Sequence, residues 1–158
     1  MVGRLQEEIH QQKPFGSLEQ ETFLNVMRTA NALNQGLAAL LKSADLTPTQ
    51  YNVLRILRGA GAEGLASGEV GERMVTRDPD VTRLLDRLEK RGLVKRWRDK
   101  ADRRVVRTRI TPAGEEAIAP LDTPVIELHV QQLRHLGEER LRALVSLLEE
   151  VRQGPDSP

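Results

Sequence analysis

The chain has 158 residues, 24 Lys and Arg against 23 Asp and Glu, 3% aromatic residues and no cysteine. That length admits one domain, or a compact lobe with helical extensions, and the missing thiols exclude disulfides, zinc–thiolate sites and cysteine redox sensing. No stretch nears the roughly 18 apolar residues of a membrane span, and the opening MVGRLQEEIHQQ lacks the apolar centre of a secretory signal, so a soluble, cytoplasmic protein without a membrane partner is expected. The net charge of +1 hides an uneven distribution. Residues 73–109 hold 14 Lys and Arg against 6 Asp and Glu, an excess of +8, while the rest holds 10 against 17, or −7. One strongly basic stretch in a near-neutral chain is the electrostatic footprint of a site for an anionic surface.

Residues 1–16 read as an N-terminal extension. SLEQETFLNVMRTANALNQGLAALLK follows, with Ser17 as N-cap and Gln20 three residues on, the pattern of a capping box. Phe23, Met27, Ala30, Leu33, Leu37, Leu40 and Leu41 then recur at steps of three and four. The spacing predicts an amphipathic helix over 17–42, long enough to pack on a helix outside its own lobe. LTPTQYNVLRILRG repeats the start signal: Thr47 caps, Pro48 takes the first helical position and Gln50 closes the box. Tyr51, Leu54 and Leu57 line one face, Val53 and Ile56 widen it, and Gly59 and Gly61 end the helix. AEGLAS is a loop or a very short strand around Leu65. SGEVGERM is a short helix capped by Ser67, with Val70 and Met74 inward. Its Gly71, about 1 kcal/mol worse than alanine in a helix, suits a close helix crossing.

RDPDVTRLLDRLEKRGL is the next helix, with Asp78 as N-cap, Pro79 in the first turn and Gly92 as the stop. Val81, Leu84, Leu85 and Leu88 form a narrow apolar stripe. At about 100° per residue, Arg83, Asp86, Arg87 and Lys90 fall opposite it, with Asp86 spaced to pair with Lys90. LVKRWRDKADRRVVRTRIT changes the period from helical to alternating, with Val106, Thr108 and Ile110 on one side and Val105, Arg107 and Arg109 on the other. This predicts a two-stranded hairpin with DKADRR at its tip, on which Trp97 either covers the inner side or stacks on a base. TPAGEEAIAPLDTPVIELHVQQLRHL returns to helix behind Thr111 and Pro112, and Pro120 and Pro124 should each kink or break it. GEERLRALVSLLEEVR is the last helix, striped by Leu141, Leu144, Leu147, Leu148 and Val151, and 153–158 is a frayed tail.

Helix, short helix, basic helix and basic hairpin, in this order, make a winged helix-turn-helix within a mainly α (α+β) fold. The major groove, ~12 Å wide, admits one helix, and the shorter helix before it braces it across the backbone. The basic hairpin is a wing that can reach a neighbouring groove. His10, His129 and His135 show no ligand spacing and no carboxylate completes a set, so no metal or other cofactor is expected. No nucleophile–base pair or phosphate loop points to an enzyme.

LTPTQYNVLRIL, followed by VTRLLDRLEKRGLVKRWRDKADRRVVRTRITPAG, resembles the MarR family of bacterial transcription regulators over about residues 46–114. The family's wing reads Asp-x-Arg and then Leu-Thr-x-x-Gly. Asp102 and Arg104 fall on the first pair, and Ile110, Thr111 and Gly114 fall on the second with Ile in place of Leu. The resemblance implies a DNA-binding winged helix-turn-helix over 46–111, and a dimerisation lobe built from 17–42 and 112–152. It implies that the helix opening at Pro79 is the recognition helix. There Asp80, Thr82 and Arg83 face base edges, Arg87 reaches bases or phosphate, and Arg77 meets phosphate. In the wing, Arg104 resembles the arginine that enters the minor groove, Asp102 holds it by a charge-assisted hydrogen bond, and Arg103 lies between them. The partners implied are double-stranded DNA carrying a pseudo-palindromic operator and a second copy of the chain as homodimer. A small aromatic or phenolic ligand that releases a repressor is also implied. Arg28 and Tyr51 are candidates for its pocket, against ordinary packing for Tyr51 and a solvated Arg28. Two alternatives stand beside this reading: a ligand-insensitive regulator, and a winged-helix module that docks proteins, which the +8 segment disfavours.

Overall fold

The computed structural model describes residues 4–154. The N-terminal extension contains a short helix, α1 (Arg4–Glu8), which the sequence pattern did not announce, with Leu5 buried. Ser17 Oγ accepts from the Gln20 amide at 3.2 Å and starts α2 (Leu18–Leu41). The Gln20 side chain reaches back to the Gly16 N–H at 2.7 Å, one residue earlier than a capping box requires. Helix α3 (Pro48–Ala60) opens on the complete box: Thr47 Oγ1 accepts from the Gln50 N–H at 3.1 Å and Gln50 Oε1 accepts from the Thr47 N–H at 3.0 Å. Gly59 stays within α3, and Gly61 ends it at φ +67°.

Leu65–Ala66 is a strand, β1, and it pairs antiparallel with β3 (Val106–Ile110), which pairs in turn with β2 (Val94–Arg98). The sheet therefore has three strands in the order β1-β3-β2, one more than the hairpin expected. Gly64 makes that third strand possible: at φ +61°, a Cβ there would stand 2.4 Å from the Thr108 carbonyl oxygen. Helix α4 (Ser67–Arg73) begins at Ser67, not after it, and the Ala66 N–H ahead of it is satisfied at 2.8 Å by the Glu69 carboxylate. The close crossing of α4 with the next helix that Gly71 suggested is present, a Cβ on Gly71 lying 3.3 Å from Val81.

Helix α5 spans Val81–Lys90, and its cap is Asp80 rather than Asp78. Asp80 Oδ1 accepts from the Arg83 N–H at 3.0 Å, while Asp78 Oδ1 accepts from the Asp80 N–H at 2.8 Å. Asp78 is spent on the turn around Pro79, so the cap falls to the next carboxylate. The two downstream prolines also act differently from each other. Pro120 lies in a 3-10 turn (Ala119–Leu121) that separates α6 (Pro112–Ile118) from α7 (Asp122–Leu133). Pro124 sits in the first turn of α7, where the N–H it lacks has no acceptor within the helix, so it breaks nothing. Helix α8 (Gly137–Gln153) ends the described chain. Of the expected frayed tail, Gln153 is still helical and 155–158 lie outside the described residues.

The core joins every element around the hairpin. Val53, Leu54 and Leu57 of α3, Val70 of α4, Leu85 and Leu88 of α5 and Ile118 of α6 are completely buried, with Leu41 from the end of α2. Each such side chain contributes about 1.5–3 kcal/mol by leaving water. The ITPAG segment fastens α6 to the turn between α5 and β2. Thr111 Oγ1 donates to the Gly92 carbonyl at 2.6 Å and accepts from the Gly114 N–H at 3.1 Å, and the Thr111 N–H donates to the Leu93 carbonyl at 3.0 Å. On the other side of the molecule α7 lies along α2, where Gln132 Nε2 donates to the Leu33 carbonyl at 3.1 Å beside Gly36. Among the described residues no helix is long and apolar enough to cross a membrane.

Candidate nucleic-acid interface

Burial of Leu84, Leu85 and Leu88 fixes the roll of α5 and leaves Thr82, Arg83 and Arg87 exposed on its outer face, with Arg77 exposed in the segment before it. Asp80 is exposed as well, but it stands at the N-cap and its carboxylate is engaged there with the Arg83 amide. Asp86 does not pair with Lys90. Its carboxylate meets the Arg96 guanidinium of β2, whose side chain is 16% exposed. Strand β2 runs directly beside the C-terminal half of α5, so a strand residue outcompetes a flexible lysine one turn along the helix.

The wing tip is organised by two aspartates. Asp102 Oδ1 accepts from the Arg104 N–H at 3.0 Å and from its Nε at 3.1 Å, and Oδ2 accepts from Nη2 at 3.1 Å. The guanidinium so held is 92% exposed. Arg104, and then its own backbone N–H, keep the Asp102 carboxyl below the usual carboxylate range. Asp99 does the corresponding work at the base of the tip. Its Oδ2 accepts from Arg107 Nε at 2.6 Å, and its Oδ1 from the Ala101 and Asp102 N–H groups at 2.8 and 3.1 Å. Arg107 first, and those two amides after it, lower the Asp99 carboxyl too. Asp99 was missed by sequence reasoning, although an aspartate followed by a turn residue two positions on is a local turn signal. Arg103 is exposed and its carbonyl accepts from Arg98 Nη1 at 2.7 Å. Trp97 covers the inner side of the hairpin, against Gly64, with the Arg109 guanidinium 5.6 Å from its ring centre.

A cavity of about 570 Å³ opens between the two halves of the molecule. Tyr51, Asn52, Arg55 and Ile56 of α3 line it, with Asn34 and Leu37 of α2, Val125 and His129 of α7, and Val75 and Thr76 from the segment that leads into α5. Of the two expected pocket residues, Tyr51 is present and Arg28 is not. Arg28 faces α1, with Nε 4.0 Å from Glu8. The cation at the cavity is Arg55, its guanidinium 5.9 Å over the Tyr51 ring. The Tyr51 ring also packs in the core, and its hydroxyl is buried with no hydrogen-bond partner. Beside the cavity, Arg58 of α3 grips Asp122 of α7 through two hydrogen bonds, of 2.9 and 2.7 Å. That pairing raises the Arg58 pKa and lowers that of Asp122.

The sequence model of the MarR family matches residues 46–106, from just before α3 to the first residue of β3. A MarR transcription factor from Planctomyces limnophilus has 39% sequence identity and a TM-score of 0.65, over 85% of this chain and 98% of that one. The HTH-type transcriptional regulator FarR of Neisseria gonorrhoeae is 28% identical over 134 residues, 85% of this chain and 90% of its own length. MepR of S. aureus, solved as a complex with DNA, shares the fold at 22% identity with a TM-score of 0.75, over 84% and 96% of the two chains.

Proposed function

The chain belongs to the MarR family of transcription regulators, and on that premise we propose that it works as a homodimer on a pseudo-palindromic operator, as a repressor released by a small-molecule ligand. The observation that carries this reading is the wing tip. A guanidinium 92% exposed, yet fixed to Asp102 by two side-chain hydrogen bonds, is aimed before any partner arrives. A narrow minor groove concentrates negative potential and favours a planar, weakly hydrated arginine. Helix α5 enters the major groove, Thr82 and Arg83 meeting base edges, Arg87 bases or phosphate, and Arg77 phosphate. Asp80 contributes by directing the first turn of the helix, and Arg103 adds positive potential beside Arg104. That MepR is solved with DNA on the same fold supports this placement.

Dimerisation rests on apolar surface. Phe23 and Met27 of α2, Ile126 and Val130 of α7, and Leu147 and Val151 of α8 are 53–67% exposed in the single chain. Apolar surface of that extent marks an association site. A two-fold pair built on it presents two α5 helices to half-sites about one turn, ~10 bp, apart. The cavity touches both α7 and the segment before α5, so an occupant biases the spacing of the two helices and with it operator affinity. A small aromatic or phenolic acid fits an apolar cleft with one cation, Arg55, at its side. Such a regulator acts on chromosomal DNA in the cytoplasm and performs no reaction of its own.

The test selects bound sequences from random DNA and compares the chain with Arg104→Ala. A palindrome-like consensus is expected, with a loss of about 1–3 kcal/mol for the arginine contact and a salt slope near −0.9 per phosphate neutralised. Equal binding to every polyanion defeats the proposal. Titration of phenolic acids into the operator complex tests the ligand, and failure of all of them to release DNA leaves a ligand-blind regulator.

A further inference from the structure

Helix α5 and the wing are joined by three residues, Arg91 to Leu93, with Gly92 at φ +71°. A join that short fixes how far apart the two lie, but not how one rolls against the other. Arg96 spans the gap from the strand side. Its backbone N–H donates to Glu89 Oε1 at 3.1 Å. Its guanidinium meets the Asp86 carboxylate and lies 4.0 Å from Glu89 Oε2. Asp86 and Glu89 are three residues apart, so both project from the same side of α5. Arg96 faces Thr108 across the sheet, a residue with no exposed surface, and directly opposed residues share a sheet face. The Arg96 side chain is 16% exposed where that of Arg104 is 92% exposed. One arginine is turned toward solvent and any duplex; the other is turned inward.

We propose that Arg96 is a positioning residue: it locks the recognition helix to the wing, so that both DNA-contacting parts meet the duplex as one body, and it neutralises the two carboxylates on that helix. The inference rests on the regulator reading for its effect on DNA, and on geometry alone for the lock. Arg96 is largely removed from water while Asp86 and Glu89 stay 48% and 43% exposed, so solvent screening leaves the pair little net stability, and the attested use of a partly buried ion pair is to fix one arrangement among several. Arg96 even leaves its Nε buried without a partner, a cost that apolar packing would avoid. The planar guanidinium suits a task in which direction matters, and an ammonium does not. A stiff link raises the effective concentration of the second contact once the first has formed. With the lock intact, the wing arginine therefore delivers its full contribution whenever α5 is seated. Asp86 and Glu89, left without Arg96, would also repel the phosphates that α5 approaches.

The experiment has two arms, each with Arg96→Gln and with Asp86→Asn, which cuts the same bridge from the helix and keeps the strand intact. Without DNA, amide hydrogen exchange is expected to quicken in β2, β3 and the C-terminal half of α5, with α2 and α7 unchanged. With the selected operator, Arg104→Ala is expected to weaken binding on the order of ten- to a hundredfold in the parent chain, and by less than about threefold in either lock variant. Unchanged exchange overturns the lock. An Arg104→Ala effect of the same size in all three backgrounds overturns its role in binding. If the parent chain selects no operator, the regulator reading fails, and the exchange arm still decides whether Arg96 couples helix to wing.

Discussion

A single carbonyl decides which residue can stand at position 114. A Cβ there would lie 2.2 Å from the Leu93 oxygen and 2.7 Å from Ile110 Cγ1, and Leu93 cannot withdraw because its carbonyl already accepts from the Thr111 N–H. Gly114→Ala should cost about 1–3 kcal/mol, as overpacking does, visible as a lower urea midpoint with an unchanged slope. Asp102 makes a different prediction. Its folded-state carboxyl is lowered by Arg104, so the ordering it provides is present at neutral pH and is lost as pH falls through that lowered value. A carboxyl-carbon NMR titration should give Asp102 a midpoint below that of an ordinary aspartate, and Arg104→Ala should bring it back up. The Asp102–Arg104 pair was legible in sequence because its members sit two positions apart. The Asp99–Arg107 pair was not, because it joins residues brought together by strand pairing. Arg28, the expected cavity residue, lies at Glu8 and Arg55 lines the cavity instead, for a similar reason: helical spacing says which way a residue faces, not which neighbour stands opposite.

At the scale of elements, the connection between α3 and α7 is the most exposed to test. The Arg58–Asp122 pair crosses from one half of the molecule to the other just beyond the 3-10 turn at Pro120. Asp122 is 41% exposed, so solvent screening limits what the pair adds, and Asp122→Asn should cost no more than about 1 kcal/mol. The lowered pKa of Asp122 sets the sign. The stabilisation is whole above the unfolded-state value and disappears as pH falls through the folded one, so parent and variant should unfold alike in acid and differ at pH 7. Most helix starts were legible because a cap is a local event: Ser17, Thr47 and Thr111 each accept from an amide three residues ahead. The start of α5 was displaced because two aspartates flank Pro79 and only geometry chooses between them. The sequence leaves β1 open as loop or strand because two residues acquire strand character only from their partner, β3.

For the molecule as a whole, the apolar residues left on α2, α7 and α8 are the largest statement still to be tested. Sequence periodicity displayed those stripes, but a pattern in one chain does not reveal what covers it. Phe23 is 62% exposed near the start of α2 and is no part of the buried core. Phe23→Glu should leave the fold intact, shift sedimentation from the mass of two chains to that of one, and reduce operator binding to the level of an isolated half-site. A parent chain that sediments as one molecule at micromolar concentration would remove the basis for paired half-sites. The division of charge is legible at this scale too. The +8 stretch of residues 73–109 maps onto α5 and the wing together, which is why composition alone already pointed at one end of the fold.

Trp97 gives the protein a built-in optical gauge. The chain has one tryptophan, and it sits on the wing, paired with Arg107 next to the tip end of the strands, against Gly64 and under Arg109. Selective excitation of indole therefore interrogates this spot and nowhere else. A wing that shifts on seating changes the colour or yield of that emission, and one that docks rigidly leaves both as they were. Label-free fluorescence can thus follow the hairpin in real time while the rest of the chain stays dark.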